Sequence, residues 1–93
     1  MIVGVLTIEL VIYASSSLKE KRFVVKSIKD KLKHKFNIAI AEIDYLDKWQ
    51  RAKIGIVTVG NEYSHVENSI QKVFEYLDNW NDFEIINHSF DYC

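Results

Sequence analysis

The chain contains no proline and only three glycines, Gly4, Gly55 and Gly60. It therefore has little of the punctuation from which linkers and long loops are built. Its one cysteine, Cys93, has no partner within the chain, so an internal disulfide is excluded and the fold requires no oxidising compartment. No apolar run approaches the ~20 residues a membrane helix needs. The opening MIVGVLTIEL is apolar but short, lacks a basic leader and carries Glu9; it reads as a strand and not as a signal peptide. Neither sign of charge is in large surplus, since 12 Lys/Arg stand against 13 Asp/Glu. These absences point to a soluble protein with no membrane partner, expected in the cytoplasm.

What is present fits one globular domain over residues 1–93. Hydrophobic residues make up 48% and charged residues 27% of the chain, an ordinary globular balance. A chain of this length supports one modest core. The charge is unevenly placed. Residues 1–53 hold 11 of the 12 Lys/Arg against six acids, while residues 54–93 hold Lys72 alone against seven. Such a split marks either a charged partner or two complementary neighbouring helices.

Ile2 to Tyr13 alternates as a strand, with Ile2, Leu6, Ile8, Leu10 and Ile12 on an apolar face and Val3, Val5, Thr7, Glu9 and Val11 on a mixed one. Ser17 with Glu20 three residues later forms a capping box, which predicts a helix from Leu18 to about Lys35. Its inward arc holds Leu18, Val24, Val25, Ile28 and Leu32. Phe36 to Tyr45 and Ala52 to Val59 read as two strands joined in an antiparallel hairpin. Ser64 with Glu67 suggests a second capping box, opening a helix with Val66, Ile70, Val73, Phe74 and Leu77 inward. After a polar stop at Asn79 to Asp82, Phe83 to Phe90 forms the last strand. Right-handed crossovers then place both helices on one face of a four-stranded antiparallel sheet: an α+β, ferredoxin-like βαββαβ split sandwich. The other face, carrying Val3, Val5 and Val11, is left uncovered and is apolar enough to predict a homodimer.

Three blocks, SLKEKR (Ser17 to Arg22), AEID (Ala41 to Asp44) and WQRA (Trp49 to Ala52), occur in this order in a chain of this length. With them the sequence resembles, nearly end to end, the YlxP-like family of small bacterial proteins of unknown function. The resemblance implies the same ferredoxin-like fold and no particular reaction. It also suggests the company of translation and RNA-processing factors. Two departures from the family pattern are a more serine-rich loop at Ser15 to Ser17 and Tyr45 at a more polar position; neither bears on the fold.

The strongest functional signal is a basic stripe, Arg22, Lys26, Lys29 and Lys33, at spacings of four, three and four along one side of the first helix. Cations in file can follow a phosphate backbone, and RNA or the ribosome is the expected partner. Lys19 and Phe23 flank the stripe, and Phe23 is placed to stack a base. The competing reading is a solvated helix face, its field moderated by Asp30. Trp49 and Arg51 at the hairpin tip form a second candidate surface. Against this stands a tryptophan folded back on the core, with Arg51 paired to Asp44 or Asp47. Base stacking in the manner of an RNA-recognition motif is excluded, because strands one and three offer Val, Ile and Thr where rings are needed.

The remaining groups assemble no chemistry. His34, His65 and His88 sit on different elements without metal-ligand spacing, and no metal or cofactor is expected. The loop before the first helix has no arginine to lie over a phosphate, so Ser17 reads as a simple cap. Glu42, Asp44 and Asp47 could gather around a cation, but they serve equally to blunt an edge strand. With no nucleophile beside a base, no catalytic residue is assigned, and an enzyme or small-ligand domain is the least supported class.

Overall fold

The alternation in the first strand sets the architecture. Within β1 (Ile2–Val11) Leu6, Ile8 and Leu10 are completely buried, while Val3, Val5, Thr7, Glu9 and Val11 between them are half-buried. A computed structural model describes all residues 1–93. It continues with α1 (Leu18–Lys35), β2 (Ala39–Asp44), β3 (Arg51–Gly60), α2 (Tyr63–Asp78) and β4 (Glu84–Tyr92). The strands lie in the order β2-β3-β1-β4, and every neighbouring pair is antiparallel. This is the ferredoxin-like α+β arrangement expected from the sequence. Both helices deliver apolar residues to one shared core, Ile28 and Leu32 from α1 and Ile70, Val73 and Leu77 from α2. Each such side chain contributes about 1.5–3 kcal/mol by leaving water.

Several boundaries differ from the sequence reading, each for a local reason. Phe36 does not open β2. Its backbone is extended, but its N–H closes α1 by donating to Leu32 O at 2.8 Å, and its ring meets Tyr76 edge-on at 5.9 Å. The expected Ser64 cap does not form. Glu62 is the N-cap residue, its carbonyl accepting from Val66 N–H at 3.1 Å, so Ser64 falls inside the first turn. The first capping box is made with a shift of one. Ser17 Oγ accepts from Glu20 N–H at 3.1 Å, while the Glu20 carboxylate returns to Ser16, accepting from its N–H at 2.6 Å and its hydroxyl at 2.8 Å. Finally, β4 runs past Phe90, because Val3 and Cys93 exchange two backbone hydrogen bonds.

Two glycines bring α2 onto the sheet. A Cβ on Gly4 would lie 2.7 Å from Val66 Cγ1 and 2.9 Å from Ile70 Cγ1, and one on Gly60 would lie 2.8 Å from Val66 Cγ2. Val66 and Ile70 are buried, packed where a close-packed interior leaves little room to move. Gly4→Ala is expected to cost about 1–3 kcal/mol by overpacking, seen as a lower urea midpoint with an unchanged m-value. A second outcome concerns the helix start. Hydrogen bonds from Ser16 hold the Glu20 carboxyl below its ordinary range. Its stabilisation is therefore present above the unfolded pKa and is lost as pH falls through the lower folded value. Glu20→Gln should flatten that acid limb of the stability profile.

Candidate functional site

Helix α1 has a phase that its apolar residues alone do not reveal. Its buried positions are Lys21, Val25, Ile28 and Leu32. At roughly 100° per residue Lys21 lies between Ile28 and Leu32, in the middle of the inward arc. The ammonium, with 0% side-chain exposure, forms an ion pair with Glu42 of β2, whose side chain is 12% exposed. It also donates to Tyr45 O at 2.8 Å and to Leu46 O at 3.4 Å. Glu42 Oε2 accepts no further hydrogen bond. The sequence reading passed over Lys21, and it took Glu42 for a cation ligand or an edge-blunting charge and not for the partner of a buried lysine. The available signal was a lysine at the centre of an apolar stripe, a position that only a buried partner tolerates.

The segment that Lys21 holds is itself unusual. Tyr45 has φ of 60°, a left-handed conformation that tyrosine rarely adopts. Its carbonyl accepts from Lys21 and, at 3.0 Å, from Lys48 N–H. Its ring lies under the Arg51 guanidinium, with 4.5 Å from Cζ to the centroid, and its hydroxyl donates to Glu9 Oε1 at 3.2 Å. Arg51 in turn pairs with Glu9 Oε2 at 2.5 Å. So Arg51 is bound neither to Asp44 nor to Asp47. It lies along the uncovered sheet face, where β1 and β3 run side by side. A bulge between Glu42 and Asp44 helps separate the hairpin carboxylates: Glu42 meets Lys21, and Asp44 accepts from Tyr45 N–H at 2.7 Å. They do not converge on a cation, and no group of three or more His, Cys, Asp or Glu is placed to hold a metal ion.

With Lys21 inward, the stripe is presented outward. Arg22, Lys26 and Lys33 are exposed and Lys29 is half-exposed. Lys26 pairs with Asp30 on the same helix at 2.6 Å, and both side chains stay largely in water. Asp30 is held below the ordinary carboxylate range, first by that hydrogen bond and further by the charges of Lys26, Lys33 and Lys29. No carboxylate from residues 54–93 reaches ion-pair distance of the stripe, since the three ion pairs are Lys21–Glu42, Lys26–Asp30 and Arg51–Glu9. Lys19 is exposed beside the stripe, and Phe23 stands 75% exposed. Trp49 is 57% exposed at the hairpin, well apart in sequence from α1. On the uncovered sheet face Val3, Val5 and Val11 are half-buried, with Val57 opposite Val5 and Val59 opposite Val3. At the N-terminus of α1 the Ser17 hydroxyl caps the Glu20 N–H, while the Glu20 carboxylate turns back to Ser16.

The buried pair generates a stability outcome. Removing one partner strands the other charge, so Glu42→Ala is expected to cost about 3–5 kcal/mol. Replacing both partners, Lys21→Met with Glu42→Ala, should recover part of that loss. A double-mutant cycle in urea reads both, and two additive single losses would show that the pair is not coupled.

Residues 3–90 match the family described as "Protein of unknown function (DUF503)". Over 82 residues, 88% of this chain and 89% of the relative, the sequence is 39% identical to "Uncharacterized protein YlxP" of Bacillus subtilis (strain 168).

Proposed function

The chain belongs to the DUF503 family of proteins of unknown function, and from that premise we propose that it is a cytoplasmic RNA- or ribosome-associated binding protein, acting through α1. One observation carries the reading. Arg22, Lys26, Lys29 and Lys33 project in file from a helix whose adjacent face is anchored in the core, and only Lys26 has a carboxylate partner. Phosphates meeting this row displace condensed counterions, so affinity is mainly electrostatic and falls with salt. Lys19 extends the row, while Phe23 offers an exposed ring for an unpaired base. Trp49 is a separate stacking surface at the hairpin. Arg51, already engaged by Glu9 and Tyr45, contributes as a neighbour of Trp49 and not as a free cation. No catalytic step is part of this reading.

A second reading rests on the uncovered sheet face. Val3 and Val5, continued by Val57 and the exposed Val59 and Ile43, form an apolar surface that a second copy of the chain would cover, with Val11 at its far side beyond the Glu9–Arg51 pair. Sedimentation at micromolar concentration decides it: a strict monomer rejects the dimer.

For the first reading, titration of a structured RNA should show affinity falling roughly a hundredfold between 50 and 200 mM salt, as expected for three to four neutralised phosphates. Replacing Arg22, Lys26, Lys29 and Lys33 by Gln should remove most of that salt dependence. Equal binding by the variant would reject the stripe.

A further inference from the structure

Between the C-terminal half of α1 and the end of α2 lies a cleft of about 680 Å³, within the ~300–1,000 Å³ usual for small-molecule sites. Its floor is aromatic. Tyr76 meets Phe36 edge-on at 5.9 Å and Trp80 edge-on at 6.0 Å, and Trp80 leans on Phe83 at 5.5 Å. The indole is fixed by its own N–H, which donates to Asp82 Oδ2 at 2.9 Å. The rim is cationic. Lys31 Nζ lies 4.6 Å from the centre of the Trp80 ring, Lys35 Nζ lies 5.1 Å from that of Tyr76, and Lys72 lines the same space. Glu75 and Asp82 also line it, yet none of the three lysines reaches a carboxylate at ion-pair distance.

Trp80 and Tyr76 are half-buried, and an ammonium resting on the outer face of such a ring is weakly held, whereas a flat heterocycle covers the same face far better. The two lysines have stems long enough to move from the ring face to the edge of a stacked base, where a phosphate would stand. We propose that this cleft is a nucleotide site, with a nucleobase stacked on Trp80 against the edge of Tyr76 and its phosphate met by Lys31, Lys35 and Lys72. Exposed Asn79 and Asn81 also line the cleft, the Asn79 amide donating to Glu75 O at 2.9 Å. The site goes beyond the basic stripe and is independent of it. Lys31 and Lys35 lie about half a turn around α1 from Arg22, Lys26, Lys29 and Lys33. An extended acidic peptide fits the chemistry less well, because it has no planar group for the indole and would pass Glu75 and Asp82. The ligand is a base carrying a phosphate, whether free in solution or as an unpaired nucleotide of an RNA strand.

The test is a titration of the ¹⁵N-labelled full chain, followed by NMR, with AMP, GMP, CMP and UMP in parallel. Adenosine, inorganic phosphate and an adenosine hexanucleotide are the further arms. The Trp80 indole N–H and the amides around Lys31, Lys35 and Tyr76 should shift to saturation with at least one nucleotide or with the hexanucleotide. Adenosine should bind the same resonances about tenfold or more weakly, and Lys31→Gln with Lys35→Gln should bring the nucleotide down to that level. Saturation by a mononucleotide identifies a free nucleotide as sufficient; saturation by the hexanucleotide alone identifies an RNA-borne one. The proposal is overturned if no arm moves the Trp80 indole to saturation by roughly 10 mM, if phosphate alone binds as well as the nucleotide, or if the lysine variant keeps full affinity. Because the readout is local to the cleft, its failure is separate from any failure of the stripe.

Discussion

The Lys21 ammonium, buried between α1, β2 and the hairpin, is the constraint on which the surface of this molecule depends. A charge taken out of water is costly unless its counter-ion and hydrogen bonds are all in place. Here Glu42 supplies the counter-ion, and the carbonyls of Tyr45 and Leu46 supply the acceptors. The lysine thereby does two things at once. It locks the rotation of α1 about its axis, and it pins the start of the β2-β3 connection, where Tyr45 is held in a left-handed backbone conformation. Such a conformation costs of order 1–3 kcal/mol and persists only when several contacts determine it together. Lys21, Glu9 and Arg51 provide them from both sides of the sheet.

The rotation of α1 then decides what the solvent sees. With Lys21, Val25, Ile28 and Leu32 inward, the remaining lysines are dealt to two flanks. One flank presents Arg22, Lys26, Lys29 and Lys33 to water. The other places Lys31 and Lys35 over the rings of Trp80 and Tyr76. The acidic second half of the chain does not neutralise either group by direct pairing, so the uneven charge along the sequence remains uneven in space. Complementary neighbouring helices, the alternative suggested by composition, are absent at the level of ion pairs.

The sheet faces are equally unlike. The helix side is covered, with its inward side chains buried in one core. The uncovered side carries valines toward one end and the Glu9, Tyr45 and Arg51 cluster toward the other. The three sequence blocks that carry the family resemblance meet near this cluster. Lys21 comes from the first, Glu42 from the second and Arg51 from the third, and Gln50 of the third ties the hairpin to the loop before α1 through Tyr13 O and Ser15 O, each at 3.1 Å. The blocks are thus parts of one clamp.

Local pattern was enough for the element order, the antiparallel four-stranded sheet and the covered face, because period-two alternation in β1 and an apolar arc in each helix act over a few neighbouring residues. It was also enough to place Arg22, Lys26, Lys29 and Lys33 on one line of α1, since spacing along a helix is itself geometry. Pairings between distant elements lay outside its reach. Lys21 with Glu42, Arg51 with Glu9 rather than Asp44 or Asp47, and Lys31 and Lys35 with Trp80 and Tyr76 all join residues that only sheet register and helix packing bring together. A lysine reads as solvated in any local window, and only the folded chain supplies the carboxylate or ring that gives it another place to be.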